Sequence, residues 1–148
     1  MSARKLLLFR TGGRVFALAA GAVREILPAS ASTRIPGAPA PVRGLVNVRG
    51  TLVTVVDAAE AIGLEATPVD WTENGAGLGT LVLVDYASRP VGLVVDDVLD
   101  LVTVSDAELT AGGEAPGIRP GLLVATGEAG GERFVQLATD ALLQPLLA

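Results

Sequence analysis

The side chains with the most chemistry to offer in this chain are its carboxylates. Asp96, Asp97 and Asp100 stand close together in "VDDVLD" (95–100), and Asp57 closes the apolar run "TLVTVVD" (51–57). Paired carboxylates can serve as general acid and base, and their oxygens can hold calcium or magnesium. The three clustered aspartates lack the spacing and the glycine of a calcium loop, and on a strand they point to different faces. An enzyme built on Asp57, Asp96 or Asp97 would need two of them gathered in one concave pocket. The chain contains no histidine and no cysteine. Imidazole acid–base catalysis, a Ser–His pair and the usual zinc and copper ligands are therefore excluded. "GAGLG" (75–79) is rich in glycine but lacks the GxGxxG spacing, and no Walker lysine follows, since Lys5 is the only lysine. No cofactor is implied.

A different kind of chemistry is suggested by "GLVNVRGTLVTVVD" (44–57), where Arg49-Gly50 joins two β-branched, apolar runs. An arginine beside a strand bend can hold a carboxylate through a bidentate hydrogen bond, which is a recognition device. The plainer alternative is a turn cap that snorkels to water. Gly50 reads as a bend or bulge.

The elements that must position these residues read as β-structure. Short Val- and Leu-rich runs recur between Gly, Pro, Asp and Ser. They place strands near 4–10, 14–19, 23–28, 43–49, 51–57, 79–86, 89–95, 97–104, 120–126 and 132–138, about five in each half of the chain. Gly12-Gly13 and Gly130-Gly131 supply hairpin turns. Helices are few. "DAAEAIGL" (57–64) has Asp57 as cap and Gly63 as stop. "SDAEL" (105–109) has a capping-box pattern, Ser105 to Glu108. The tail, 139–148, starts with Thr139 or Asp140 as cap, and Pro145 limits its run. Segments 66–79 and 110–121 look loose. "LVLV" (81–84), "VGLVV" (91–95) and "TLVTVV" (51–56) are apolar on both faces, which implies burial on both. Two small barrels pressed on a shared layer would produce that pattern.

Length and composition agree with this reading. The 148 residues suit one domain, or two small lobes sharing a core. The net charge is −5 and the ten arginines are spread singly, so no basic patch exists for nucleic acid. Aromatics are 3% of the chain, too few for base-stacking platforms. Phe9 and Phe16 flank the first turn as core residues, while Trp71, in a loop, is a candidate contact residue. The longest uncharged run, 74–84, is too short to span a bilayer, so no membrane insertion is expected. "MSARKLLLFR" reads as a first strand rather than a signal peptide, because Arg10 interrupts the apolar run. A cytoplasmic protein is expected.

With these residues in view, the chain resembles the CheW-like family of chemotaxis coupling proteins. "VREIL" (23–27) resembles that family's Val-x-Glu-Ile strand. "IPGAPAPVRGLVNVRGTLVTVVDAAEAIGL" (35–64) is similar to its central motif: a proline pair, a Gly-apolar-apolar-Asn-apolar-Arg-Gly stretch, then a strand ending in Asp. "LVLVDYASRPVGLVVDDVLDLVTVS" (81–105) resembles its hairpin and the valine-rich segment after it. "LLVATGEAGGERFVQLATDALL" (122–143) resembles its closing hairpin and terminal helix. Each motif alone is weakly specific; four in order with suitable spacing are specific, and they cover nearly the whole chain.

The resemblance implies a mainly β fold, with residues 1–148 as one CheW-like domain. That domain would comprise two five-stranded SH3-like β-barrels on a shared hydrophobic layer, with short helices and a C-terminal helix. It implies a bacterial scaffold without catalysis or cofactor, working in two-component signal transduction. Such a scaffold links the cytoplasmic tip of a methyl-accepting chemoreceptor to the regulatory domain of a CheA-type histidine kinase. It would be recruited to membrane-associated receptor arrays, with weak self-association or ring assembly. In the family the matching arginine lies near the receptor groove. Arg49 and Glu25 would then pair there, with Val23, Leu27 and Asn47 lining the same region. The chain departs from the family at Thr54, where proline is usual, at Ala58, where leucine is usual, and at "LATD" before the last helix. Those departures bear on the kinase-binding surface, and a paralogue that binds receptor but not kinase is the near alternative. No receiver or histidine-phosphotransfer region is read, so a coupling domain standing alone is expected.

Overall fold

A computed structural model describes residues 3–73 and 77–147, so Gly75 and Ala76 of the glycine-rich stretch, and the last residue of the tail, lie outside the described residues. The strands are β1 (Ala3–Thr11), β2 (Arg14–Ala19), β3 (Val23–Pro28), β4 (Val42–Val48), β5 (Thr51–Asp57), β6 (Thr80–Tyr86), β7 (Arg89–Val95), β8 (Asp97–Ser105), β9 (Thr110–Ala111), β10 (Leu123–Ala129) and β11 (Glu132–Leu137). The helices are α1 (Ala58–Ile62) and α2 (Thr139–Leu147). One five-stranded sheet has the order β3-β6-β7-β5-β4, and one six-stranded sheet has the order β8-β1-β2-β11-β10-β9.

Four features differ from the sequence reading. The sheets are open: among the described residues the ladders end at β3 and β4, and at β8 and β9, instead of closing as barrels. The two-residue β9 lies in a stretch that reads as loose, and pairs with Ala125 and Thr126. The tenth strand starts at Leu123 rather than 120, because Gly121 is left-handed (φ +88°) and Leu122 turns fully inward. Nor are the two lobes the two halves of the chain. The six-stranded sheet takes β1 and β2 from the beginning and β8 to β11 from the end, and the five-stranded sheet is inserted between them.

The doubly apolar runs have their explanation in three layers of core. Alternate residues of each run serve different layers, as period-two geometry requires. From β6, Val82 and Val84 enter a layer shared by both sheets, with Leu7, Phe9, Phe16 and Leu93. Leu81 and Leu83 point the other way, into a core private to the five-stranded sheet with Val46, Val53 and Val55. Leu6 and Leu8 do the same for the six-stranded sheet, with Ala17 and Phe134. Both helices pack on the shared layer through Ala58, Ile62, Leu142 and Leu143. Each fully buried leucine or phenylalanine stabilises the fold by about 1.5–3 kcal/mol before entropy is counted.

The helix ends also depart from their expected caps. Gly63 closes α1 in the left-handed region (φ +115°), as read. Asp57 occupies the cap position of α1, but its carboxylate does not cap; it accepts the N–H and the hydroxyl of Thr67, each at 2.8 Å. In α2 the Leu142 N–H donates to the Ala138 carbonyl, so Ala138, not Thr139 or Asp140, holds the cap position. Pro145 does not stop this helix, which runs to Leu147. Proline has no N–H for the carbonyl four residues back, here that of Ala141. The Arg119 guanidinium donates to that oxygen instead, at 3.3 Å. Between β8 and β9, Ser105 donates its N–H and hydroxyl to Glu108 Oε1 at 2.9 and 3.0 Å, fixing a short 3-10 turn.

Candidate functional site

In the β4–β5 hairpin, Val48 pairs with Thr51, so Arg49 and Gly50 are the two central turn residues. Their φ angles are +50° and +87°. Two positive values are what a type I′ hairpin turn demands, and its twist matches that of the strands. Gly50 is thus a turn residue rather than a bulge. Arginine is unusual in this region, and a non-glycine residue there carries roughly 1 kcal/mol or more of strain. The Asn47 side-chain oxygen accepts the Gly50 N–H at 2.7 Å, which ties the turn down.

Glu25 reaches the same place from β3 by way of a bulge. The β3–β6 register pairs Val23 with Val84, Glu25 with Leu83 and Leu27 with Leu81, and shifts between Val23 and Glu25. Directly paired residues share a face. Glu25 and Leu27 therefore face the private core of the five-stranded sheet, whereas Val23 packs on the shared layer. Simple alternation would have put all three together. The extra residue at Arg24 separates Val23 from the others.

The Arg49 guanidinium grips the Glu25 carboxylate with both terminal nitrogens. Nη1 donates to Oε1 at 2.9 Å and Nη2 donates to Oε2. The Arg49 hydrogen bond, helped by its charge and that of Arg24, holds the Glu25 carboxyl below its ordinary range. The same bond raises the guanidinium. Because β3 and β4 are opposite edges of the five-stranded sheet, the pair is a clasp across the opening that the backbone ladder leaves. Beneath it lies a cleft of about 420 Å³ with Val48, Val53, Leu83 and Pro90 in its wall and Arg24 at its rim. Arg24 was not singled out in the sequence; a bulge leaves no mark in a period-two pattern. Leu27 is half-buried against the private core, and Asn47 is exposed on the outer face opposite Leu52.

The carboxylates do not gather. Asp57 is fully buried, with Arg43 Nη2 at 3.8 Å in addition to Thr67. Arg43 also bonds the Glu60 carboxylate and lies over the Trp71 ring, 5.5 Å from its centroid. Trp71 is half-buried and its carbonyl accepts the Ser32 N–H at 2.7 Å, so much of it serves the fold. Asp96 and Asp97 are exposed at the β7–β8 bend. Partial desolvation of the carboxyl, then the charges of Asp97 and Asp57, push Asp96 above its usual range. One sealed, fully bonded carboxylate and two solvent-facing ones make no acid–base pocket. Among the described residues, no three acidic side chains come together as metal ligands. Of the three family departures, Ala58 is completely buried in the shared layer, Thr54 is half-buried opposite Val91, and "LATD" (137–140) runs from the end of β11 into the first turn of α2.

Comparison with known proteins matches this architecture. The CheW-like domain model covers residues 5–145. A chemotaxis protein CheW from Rhizobium meliloti is 36% identical over 106 residues, which are 72% of this chain and 64% of that protein. A chemotaxis protein CheW from Bacillus subtilis is 27% identical over 74% of this chain and 67% of its own length. Protein PilI from Pseudomonas aeruginosa is 32% identical over 63% of this chain and 49% of its own. The match thus spans a little under two thirds of the Rhizobium relative and about half of PilI. The crystal structure of the scaffolding protein TtCheW from Thermoanaerobacter tengcongensis superposes with a TM-score of 0.81, covering 97% of this chain and 94% of that one at 17% identity.

Proposed function

The chain belongs to the CheW-like family of non-catalytic chemotaxis scaffolds, and from that premise we propose that it couples chemoreceptor tips to a CheA-type histidine kinase as a single coupling domain. Its place is in the cytoplasm at membrane-associated receptor arrays, consistent with the described residues containing no helix long and apolar enough to cross a membrane. The receptor-binding surface is the clasped opening of the five-stranded sheet. The observation that carries this reading is the bidentate Arg49–Glu25 pair standing over a cleft with Val48, Val53, Leu83 and Pro90 in its wall. Apolar walls with a few oriented polar groups at the rim suit one face of a helical receptor tip. Leu27 extends the apolar side, and Asn47 stands at the turn. Val23 and Asn47 both lie on the face of the sheet away from the cleft, so the direct contacts of this reading are Glu25, Leu27 and Arg49.

A binding titration tests it. The protein is mixed with the kinase regulatory domain and, separately, with a receptor-tip fragment from the same genome, alongside Arg49→Ala checked for cooperative melting. Both partners bind the parent chain, and Arg49→Ala weakens only the receptor. Binding of the receptor alone would make the protein a paralogue without a kinase surface. Equal affinity of the parent and Arg49→Ala for the receptor tip would move the receptor surface elsewhere.

A further inference from the structure

We propose that Asn47 is a positioning residue: it acts on the receptor surface through Arg49, by holding the hairpin turn in the form that aims the guanidinium at Glu25. The functional half of this inference rests on the receptor reading above. Three observations carry it. Asn47 lies on β4 between Val46 and Val48, which point into the private core, so its own side chain faces outward, away from the cleft. Its Oδ1 nevertheless accepts the Gly50 N–H at 2.7 Å. That N–H is the donor of the second turn residue, which a two-residue hairpin ladder leaves unused. The bond ties the end of β4 to the far side of the turn, and it is made here with Arg49 and Gly50 both left-handed, at φ of +50° and +87°. Arginine resists that conformation. Without the bond, other turn forms become accessible, and each would swing the long Arg49 side chain off an opening that it must cross from one sheet edge to the other.

The experiment follows the Glu25 carboxyl carbon by NMR through an acid titration, in the parent chain, Asn47→Ala, Asn47→Asp and Arg49→Ala. Arg49→Ala moves the Glu25 midpoint up toward the ordinary carboxylate range, and Asn47→Ala moves it the same way. Asn47→Asp keeps an acceptor for the Gly50 N–H. Its Glu25 midpoint stays below that of Asn47→Ala even though the added charge pushes upward. A change that merely loosened the hairpin without releasing Arg49 would leave the midpoint alone. In a receptor-tip titration, Asn47→Ala weakens binding roughly two- to tenfold, the range one hydrogen bond covers. Asn47→Ala placed on Arg49→Ala adds nothing further, since the two act in series. An unmoved Glu25 midpoint in Asn47→Ala, or losses that multiply in the double variant, overturns the proposal. A moved midpoint with receptor binding unchanged in both single variants upholds the positioning role and sinks the receptor reading instead.

Discussion

Arg119 and Pro145 should be energetically coupled, and the size of the coupling can be worked out beforehand. Pro145 lies inside α2 and leaves the Ala141 carbonyl without a helical donor. Arg119 Nη2 donates to that oxygen at 3.3 Å and to Leu142 O at 3.1 Å. Its Nε donates at 3.3 Å to Ala61 O, at the end of α1, and its backbone N–H donates to Ile62 O at 2.7 Å. A half-buried cation thus serves the C-terminus of α1, where the carbonyl end is negative, and the carbonyl inside α2 that Pro145 leaves without a donor. Arg119→Met keeps the stem and removes the donors. Hydrogen bonds to charged groups are worth about 1.5–3 kcal/mol, and these are long, so a loss of roughly 2–3 kcal/mol in all is expected. Pro145→Ala restores an N–H at the right place for Ala141 O. In the Arg119→Met background it should therefore stabilise by about 1 kcal/mol more than in the parent, one net hydrogen bond. Urea unfolding of the four chains, followed by the fluorescence of the single tryptophan, measures this directly. Additivity within about 0.5 kcal/mol would mean that Arg119 does not substitute for the missing proline N–H.

The Arg49–Glu25 clasp predicts a pH signature. A carboxylate held below its ordinary value of 4.5 contributes stability that is fully present above that value and is lost as pH falls through the folded one. The stability gap between the parent and Glu25→Gln is therefore constant from about pH 7 to pH 5 and closes on further acidification; a gap that changed near neutrality would refute the assignment. Asp57→Ala strips two 2.8 Å hydrogen bonds from Thr67 and leaves Arg43 short of a buried partner, so chemical denaturation should show a loss of about 3 kcal/mol, with Asp57→Asn milder because one acceptor survives. A Cβ on Gly44 would stand 2.3 Å from Thr33 O at φ +151°, where Thr33 and Leu45 exchange backbone hydrogen bonds. Gly44→Ala should accordingly cost roughly 2 kcal/mol or more in the same assay.

What could be read from the sequence was whatever repeats. Continuous Val and Leu runs announce a strand buried on both faces, and Leu81 to Val84 divide between two cores as that pattern requires. Phe9 and Phe16 are core residues, with rings 6.0 Å apart. What could not be read were the singular events. The bulge at Arg24 inserts one residue and turns Val23 away from Glu25, and period-two reasoning has no means of seeing it. Asp57 looked like a helix cap because helix starts favour aspartate, but a nearby threonine N–H and hydroxyl won its carboxylate. Pro145 looked like a stop because its lost N–H is local, while the arginine that compensates is remote in sequence. The expectation of barrels came from the strand count and the doubly apolar runs, and the resemblance supported it. The open edges, joined on one lobe by an ion pair instead of a ladder, came only with the coordinates.

The nesting of one sheet inside the other has a consequence for how the chain is made. All five strands of the inner sheet have been synthesised by Val95, but Phe16 on β2 must wait for Val135 on β11 to arrive beside it. At ~5–20 residues per second, the first hairpin spends on the order of ten seconds with apolar surface and an unpaired edge available to any passing chain. Premature termination between β7 and β11 would extend that interval indefinitely, leaving Leu7, Phe9 and Phe16 without Leu122, Leu137, Leu142 and Leu143, which complete their layer. A late truncation is therefore as damaging to the start of this protein as to its end.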